Sequence, residues 1–175
     1  MRKTVLTTER LMLVVPDMDD CDALCRLWSD PETMQYIGAG GTWSREQIVE
    51  RIERAIGMQR DREMTFWTVV EKDSDQVIGQ GGLVPIEFNG SEIELGYRLG
   101  KAHWGKGYAT EIARAAAAYG FDTLDLDALV AVCYAENLPS RRVLIKAGFH
   151  EAGESDLYYG VKTIVHRMNA SDGVR

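Results

Sequence analysis

The stretch Gly96 to Glu111, GYRLGKAHWGKGYATE, reads as a strand ending at Leu99, a loop with glycines at 100, 105 and 107, and the first turn of a helix. A chain that turns through glycines into a helix N-terminus can aim several backbone N–H groups at one spot. The helix dipole adds about half a positive charge there. Such a junction suits phosphate. Three readings compete for it. The glycines can serve only to turn the chain and let helix and strand pack. Gly100 to Lys106 also fits G-x-x-x-x-G-K, yet Gly107 stands where a magnesium-holding Ser or Thr belongs. The third reading, a cradle for the pyrophosphate of a coenzyme, needs the rest of the chain.

Upstream, Ile93, Leu95, Tyr97 and Leu99 alternate with Glu92, Glu94, Gly96 and Arg98, which gives a strand with one apolar and one polar face. Asn89-Gly90 is a hairpin signal that pairs Glu92 to Leu99 antiparallel with Val77 to Glu87. That run follows Thr65 to Glu71 across the Asp73-Ser74-Asp75 turn. Earlier still, Ser44 and Gln47 form a capping box for a helix with the apolar stripe Ile48, Ile52, Ala55 and Ile56. Asp17 and Asp20 open another helix, with Cys21, Leu24, Cys25 and Trp28 on one face and a stop near Pro31. A glycine-rich loop, Gly38 to Gly41, lies between these helices, and Leu6 to Val15 reads as a first strand.

Downstream, Lys106 to Phe121 is an Ala-rich helix with Ala109, Ile112, Ala113, Ala116 and Gly120 on the face that can lie close to a sheet. Leu129 to Cys133 is a short buried strand. Pro139 to Ala147 is a short helix capped by Gly148, and Glu151 to Tyr158 and Val161 to Met168 are the last strands. The predicted order is βααβββαβαββ in one domain over 1–175, with a core from about 6 to 168 and a frayed tail from Asn169 to Arg175.

At 175 residues the chain suits one core that buries roughly 70% of its unfolded surface. With 45% hydrophobic and 27% charged residues it has ordinary globular usage, and no apolar run of about 18 residues could span a bilayer. Glu9 and Arg10 interrupt MRKTVLTTERL too early for a secretory signal. Cys21, Cys25 and Cys133 form no even framework, so free thiols in a reducing cytoplasm are expected. Cys21 and Cys25 stand one helical turn apart, but no His or carboxylate set completes a metal site with them. The formal charge of -7 repels a nucleic-acid backbone. It either draws cationic partners or serves solubility.

Three segments together resemble one family. WGKGYATE after EIELGYRL is similar to the pyrophosphate-binding motif Q/R-x-x-G-x-G/A of GNAT acetyltransferases, with Gly107 and Ala109 at its small positions and Trp104 where Gln or Arg is commonest. The RimJ/RimL-like branch, which acetylates ribosomal-protein N-termini and includes many small-molecule enzymes, often reads WGKGYATEA there. TTERLMLVVP resembles that branch's T-E-R-L-x-L-R opening, and ENLPSRRVLIKAGF its N-x-x-S-x-x-V-L-x-x-x-G-F helix. The resemblance covers about residues 6 to 168. It implies an α/β (α+β) fold with a mostly antiparallel mixed sheet, splayed between the fourth and fifth strands and flanked by about four helices.

It further implies acetyl-CoA as co-substrate with no metal. The pantetheine arm would pair with main chain at Tyr97, Arg98 and Leu99, and the pyrophosphate would meet N–H groups of Trp104, Gly105, Lys106, Gly107, Tyr108 and Ala109. Lys106 could add charge. Asn137 would contact CoA or substrate, and Ser140 would approach the thiol as the candidate acid. Many GNAT enzymes carry a Tyr at the position of Leu144, so their tyrosine acid is not carried over, and Tyr158 or Tyr159 could substitute. His103 could touch phosphate or donor. Amine acetylation needs a base, because an ammonium has no lone pair. Glu94 is the preferred base and Glu92 the reserve, with solvated surface carboxylates as the alternative.

The acceptor would be shaped by Asp17 to Arg62 and the final hairpin. Trp28, Tyr36, Trp43, Tyr158 and Tyr159 are candidate cleft aromatics, though core or interface packing is the commoner role of such residues. A small cationic amine, aminoglycoside antibiotics or polyamines included, is oriented in this reading by Glu92, Glu94, Glu154 and Asp156. A protein N-terminus is the alternative acceptor, and a non-catalytic acyl-CoA sensor the alternative function. Homodimerisation is left open.

Overall fold

In the computed structural model, which describes residues 2–38 and 40–173, the alternating runs of the sequence form one eight-stranded sheet. Its strands are β1 (Thr4–Thr7), β2 (Leu11–Val14), β3 (Phe66–Glu71), β4 (Gln76–Pro85), β5 (Ile93–Leu99), β6 (Ala128–Cys133), β7 (His150–Ser155) and β8 (Thr163–Asn169). Their spatial order is β1-β2-β3-β4-β5-β6-β8-β7. Every neighbouring pair is antiparallel except β5 and β6, which run parallel and meet through the single pair Glu94 and Val130. Beyond that pair they part, so the β6-facing main chain of β5 from Leu95 onward has no strand partner.

Five α-helices flank the sheet: α1 (Cys21–Trp28), α2 (Pro31–Met34), α3 (Arg45–Arg62), α4 (Tyr108–Asp122) and α5 (Leu138–Ala147). The Ser44–Gln47 capping box forms as expected. The chain does not simply stop at Pro31, because the Asp30 side chain caps a new short helix there, which makes five helices rather than four. The single first strand is corrected to a hairpin. The Thr8 hydroxyl accepts from Leu11 N at 3.0 Å and turns the chain between β1 and β2. Ile56 is exposed instead of completing the α3 stripe. Asn169 belongs to β8 and residues 170–172 form a short 3-10 turn, so the tail is ordered further than expected, while Val174 and Arg175 lie outside the described residues.

The alternation along β5 separates two layers. Leu95 and Leu99 share a core cluster with Ile112, Ala113, Ala116 and Ala117 of α4. Gly81 on β4 permits that approach, since a Cβ there would stand 2.6 Å from Ile112 Cγ2. Cys21, Leu24, Trp28, Met34, Ile48 and Ile52 form a separate cluster among α1, α2 and α3. The polar β5 face meets this second layer: the Arg98 guanidinium lies over the rings of Trp28 and Trp43. Glu94 on this face is buried, whereas Glu92 stays partly exposed. Among the described residues, no helix is long and apolar enough to cross a membrane.

Candidate active site

Where β5 and β6 part, a cavity of about 490 Å³ opens between Leu95–Arg98 on one side and Ala131–Tyr134 on the other. It brings together Glu94, Tyr97, Arg98, Asn137 and Ser140. Leu99 and the loop residues Trp104, Gly105, Lys106, Gly107, Tyr108 and Ala109 do not line it. They continue the chain from the far end of β5.

Glu94 is only 7% exposed. Burial pushes its carboxyl up to about 7, against the opposing pull of the Tyr159 hydroxyl, which donates to Glu94 Oε2, and of the Arg98 charge. Burial likewise raises the Tyr159 hydroxyl far above its ordinary range. Glu92 differs in every respect. It lies off the cavity, accepts from Tyr158 Oη at 2.7 Å, pairs with Arg167 Nη1 at 2.6 Å, and is held below the usual carboxylate range chiefly by the Tyr158 bond.

On the opposite wall Asn137 caps α5, its Oδ1 accepting from Ser140 N at 3.2 Å. Ser140 Oγ lies 2.9 Å from the Tyr97 hydroxyl, which also donates to the Ser140 carbonyl at 3.1 Å. Burial keeps the Tyr97 hydroxyl protonated and pushes the nearby Cys133 thiol up to about 11. Leu144 is buried at the back of the cavity.

The glycine loop has the geometry its sequence suggests. Gly105 and Gly107 take φ of +74° and +83°, a region that favours glycine, and Gly107 leads into α4. Among the described residues, no protein group accepts from the backbone N–H groups of Gly105 to Thr110. That row of free amides at the start of a 15-residue helix fits a pyrophosphate. Trp104 differs from them, because its N–H already donates to the Lys101 carbonyl at 3.1 Å and its indole Nε1 to the Leu99 carbonyl at 2.7 Å. Behind the loop, Arg10 donates from Nη1 to the Lys106 carbonyl at 2.8 Å and from Nε to Glu111 Oε2 at 2.8 Å, and lies over the Tyr108 ring. Burial works against the Glu111 charge, but bonds from Thr8 and Arg10 outweigh it. His103 Nδ1 is buried without a partner, and burial lowers that imidazole.

Several lining residues were not anticipated from sequence. Arg51 of α3 lies 3.7 Å above the Trp43 ring, and its buried Nε has no hydrogen-bond partner. The Arg98 side chain donates from Nη2 to Gln80 Oε1 at 2.7 Å. Burial, then repulsion from Arg51, brings its guanidinium down to about 9. Of this wall the sequence marks Arg98, on the polar face of its strand, and Trp43, a candidate cleft aromatic, which lines the cavity with Tyr36 and Tyr159. Trp28 is core, and Tyr158 binds Glu92. Glu154 and Asp156 do not line the cavity, and Glu154 pairs with Lys162. The Tyr134 hydroxyl donates to the Gly38 carbonyl at 2.6 Å, and both residues line the cavity. Cys21 and Cys25 are free thiols with their sulfurs 3.9 Å apart, and no metal-holding cluster occurs among the described residues.

A family model described as "Acetyltransferase (GNAT) domain" matches residues 10–150. The chain is 34% identical over 148 residues to "Uncharacterized N-acetyltransferase p20" of Bacillus licheniformis, covering 85% of this chain and 83% of that protein. The fold matches that of a GNAT-family acetyltransferase from Bacillus anthracis with a TM-score of 0.81 at 23% identity, covering 95% of this chain and 98% of that one. It also matches the microcin C7 self-immunity acetyltransferase MccE, solved with acetyl-CoA and AMP, with a TM-score of 0.76 at 16% identity over 92% and 93% of the two chains.

Proposed function

The chain belongs to the GNAT family of acetyl-CoA-dependent N-acetyltransferases, and from that premise we propose that Glu94 and Ser140 move the protons of acetyl transfer to a small primary amine. One observation carries the reading. A buried carboxyl tuned to about 7 faces a cavity opened by the parting of β5 and β6. A general base works best when its pKa lies near the working pH. Glu92, neutralised by Arg167 outside the cavity, has neither property.

Acetyl-CoA, when bound, supplies the acetyl thioester. The amides from Gly105 to Ala109 are suited to its pyrophosphate, and the unpaired edge of β5 at Tyr97 and Arg98 to its pantetheine amides. Asn137 presents its side chain to the cavity while capping α5. The Glu94 carboxylate accepts the proton of the entering ammonium, which frees the nitrogen lone pair to attack the thioester carbon, and later returns that proton to solvent. As the carbon–sulfur bond breaks, Ser140 Oγ gives its proton to the departing sulfur and takes up the second proton that the nitrogen loses in becoming an amide, held in place by the Tyr97 hydroxyl 2.9 Å away.

The three motifs support a place in the RimJ/RimL-like branch, since the Arg of T-E-R-L and the Glu of Y-A-T-E meet as the Arg10–Glu111 pair behind the loop. A volume near 490 Å³, typical of small-molecule sites, supports a small acceptor over a protein N-terminus. An aminoglycoside or polyamine is less suited. Of the carboxylates invoked to orient one, only Glu94 lines the cavity, and two arginines face it.

The test is thiol release from acetyl-CoA with a panel of small amines and N-terminal peptides. Small-amine turnover that collapses in Glu94→Gln, with donor affinity retained, is the expected result. Donor binding without turnover of any amine supports the sensor reading, and turnover of peptides alone removes the small acceptor.

A further inference from the structure

The acceptor side of the cavity has a charge pattern that amine chemistry alone does not require. Arg51 and Arg98 both face it, whereas Glu94 is the only carboxylate among the described lining residues. Arg98 spends its visible hydrogen bonds on the neutral Gln80 amide, and Arg51 Nε has no partner although it is buried. The rings of Trp28, Trp43 and Phe66 surround Arg98, and Arg51 Cζ lies over the Trp43 ring at 3.7 Å from its centroid. Each guanidinium is thus held by cation–π contact with aromatic rings, with donors left over. Two like charges kept close in a partly dry wall, with Glu94 as the single nearby carboxylate and no ion pair to either arginine among the described residues, are costly, and a bound anion lowers that cost. A planar fork of N–H donors matches a carboxylate in two-point contact.

Accordingly, we propose that the acceptor is a small primary amine that also carries a carboxylate, seated with its anion on Arg51 and Arg98 and its amine at Glu94. This deepens the acetyl-transfer reading and rests on it for the amine end alone. The aromatic surfaces of Trp43 and Phe66 beside the arginines suit an apolar or aromatic portion between the two charged ends. The glycine loop, which does not line this cavity, is the separate place for the donor's phosphates. Arginines outnumbering acids here also gives the chain, acidic as a whole, a local field of opposite sign.

The experiment uses matched pairs, each an amino acid and its decarboxylated amine, with spermidine and an aminoglycoside alongside. They are assayed for thiol release from acetyl-CoA and, separately, for thermal stabilisation of the CoA-bound protein. The carboxylated member of a pair is expected to lead in kcat/KM by about tenfold or more, and to raise the melting temperature where its partner does not. In Arg51→Met, which keeps the stem over Trp43, that lead shrinks toward equality through KM, while the affinity for acetyl-CoA is retained. Arg51→Lys recovers part of it. Preference for the decarboxylated amines or polyamines overturns the proposal. So does a drop in donor affinity in Arg51→Met, which would assign the arginines to the coenzyme. The stabilisation arm reads the anion seat without turnover. Absence of thiol release with every amine therefore sinks the acetyl-transfer reading, whereas loss of discrimination between pair members sinks this one.

Discussion

Glu94 shows how a single side chain trades stability for chemistry. Its carboxyl rises from 4.5 to about 7 on folding, so the folded state favours the protonated form. The stabilisation is complete below about pH 4.5 and disappears as pH climbs through 7. Its size is roughly 3 kcal/mol by linkage. Glu94→Gln, which mimics the protonated form, is expected to melt close to wild type at pH 5 and several degrees above it at pH 8 to 9. Equal melting at both pH values would show that Glu94 is not buried as described. The same group gives wild-type kcat/KM a rise through about pH 7, which Glu94→Gln loses. Ser140→Ala should lower kcat by about tenfold or more with little change in KM, and Tyr97→Phe by less, since Tyr97 acts through Ser140. Stopped assays at saturating donor separate the two. Period-2 alternation put Glu94 on the right face but could not rank it above Glu92. Only the Arg167 and Tyr158 contacts, which arrive from the far end of the chain, do that. Arg51 left no signal at all, because α3 is rich in charge and nothing local marks one arginine as inward.

Among the elements, the loop into α4 was the most legible, because glycines, a helix start and a preceding strand are local features. Its brace was not. Arg10 reaches Glu111 across 101 positions of sequence, and the Thr8 hydroxyl at the turn between β1 and β2 donates to the same carboxylate. Two substitutions separate cradle from brace. Gly107→Glu combines a positive-φ strain with a charge aimed at the phosphate site and should abolish donor binding in calorimetry while the fold, read by circular dichroism, persists. Arg10→Ala leaves the amides in place but frees the Lys106 carbonyl, and should weaken donor binding by about tenfold rather than abolish it. Equal losses in the two variants would mean that the brace, not the amide row, holds the phosphates. The final strands were misplaced at their ends, since Tyr158 and Val161 look like strand residues yet lie between β7 and β8. Tertiary bonds to Glu92 and Glu94 hold Tyr158 and Tyr159 in that loop.

Across the described residues, the sheet is two half-sheets, β1 to β5 and β6-β8-β7, whose strands pair with each other only at Glu94 and Val130 and which otherwise share the core beneath α4. A donor that fills the gap binds both halves at once. At a hundredfold excess over its Kd, acetyl-CoA should raise stability by about 2.7 kcal/mol, a melting shift of roughly 5 to 10 °C. Hydrogen exchange should slow most at Leu95 to Leu99 and Ala131 to Cys133. Slowing confined to the loop at Gly105 to Ala109 would mean that the gap is not the pantetheine site. The unpaired edge has one further consequence. Strand edges with free N–H and C=O groups are templates on which other chains assemble, and this one lies inside the sheet instead of at its guarded rim. A solution stripped of coenzyme should therefore cloud on warming sooner than its melting curve alone foretells, and CoA at millimolar level should keep it clear, the small molecule serving as a cap against self-association.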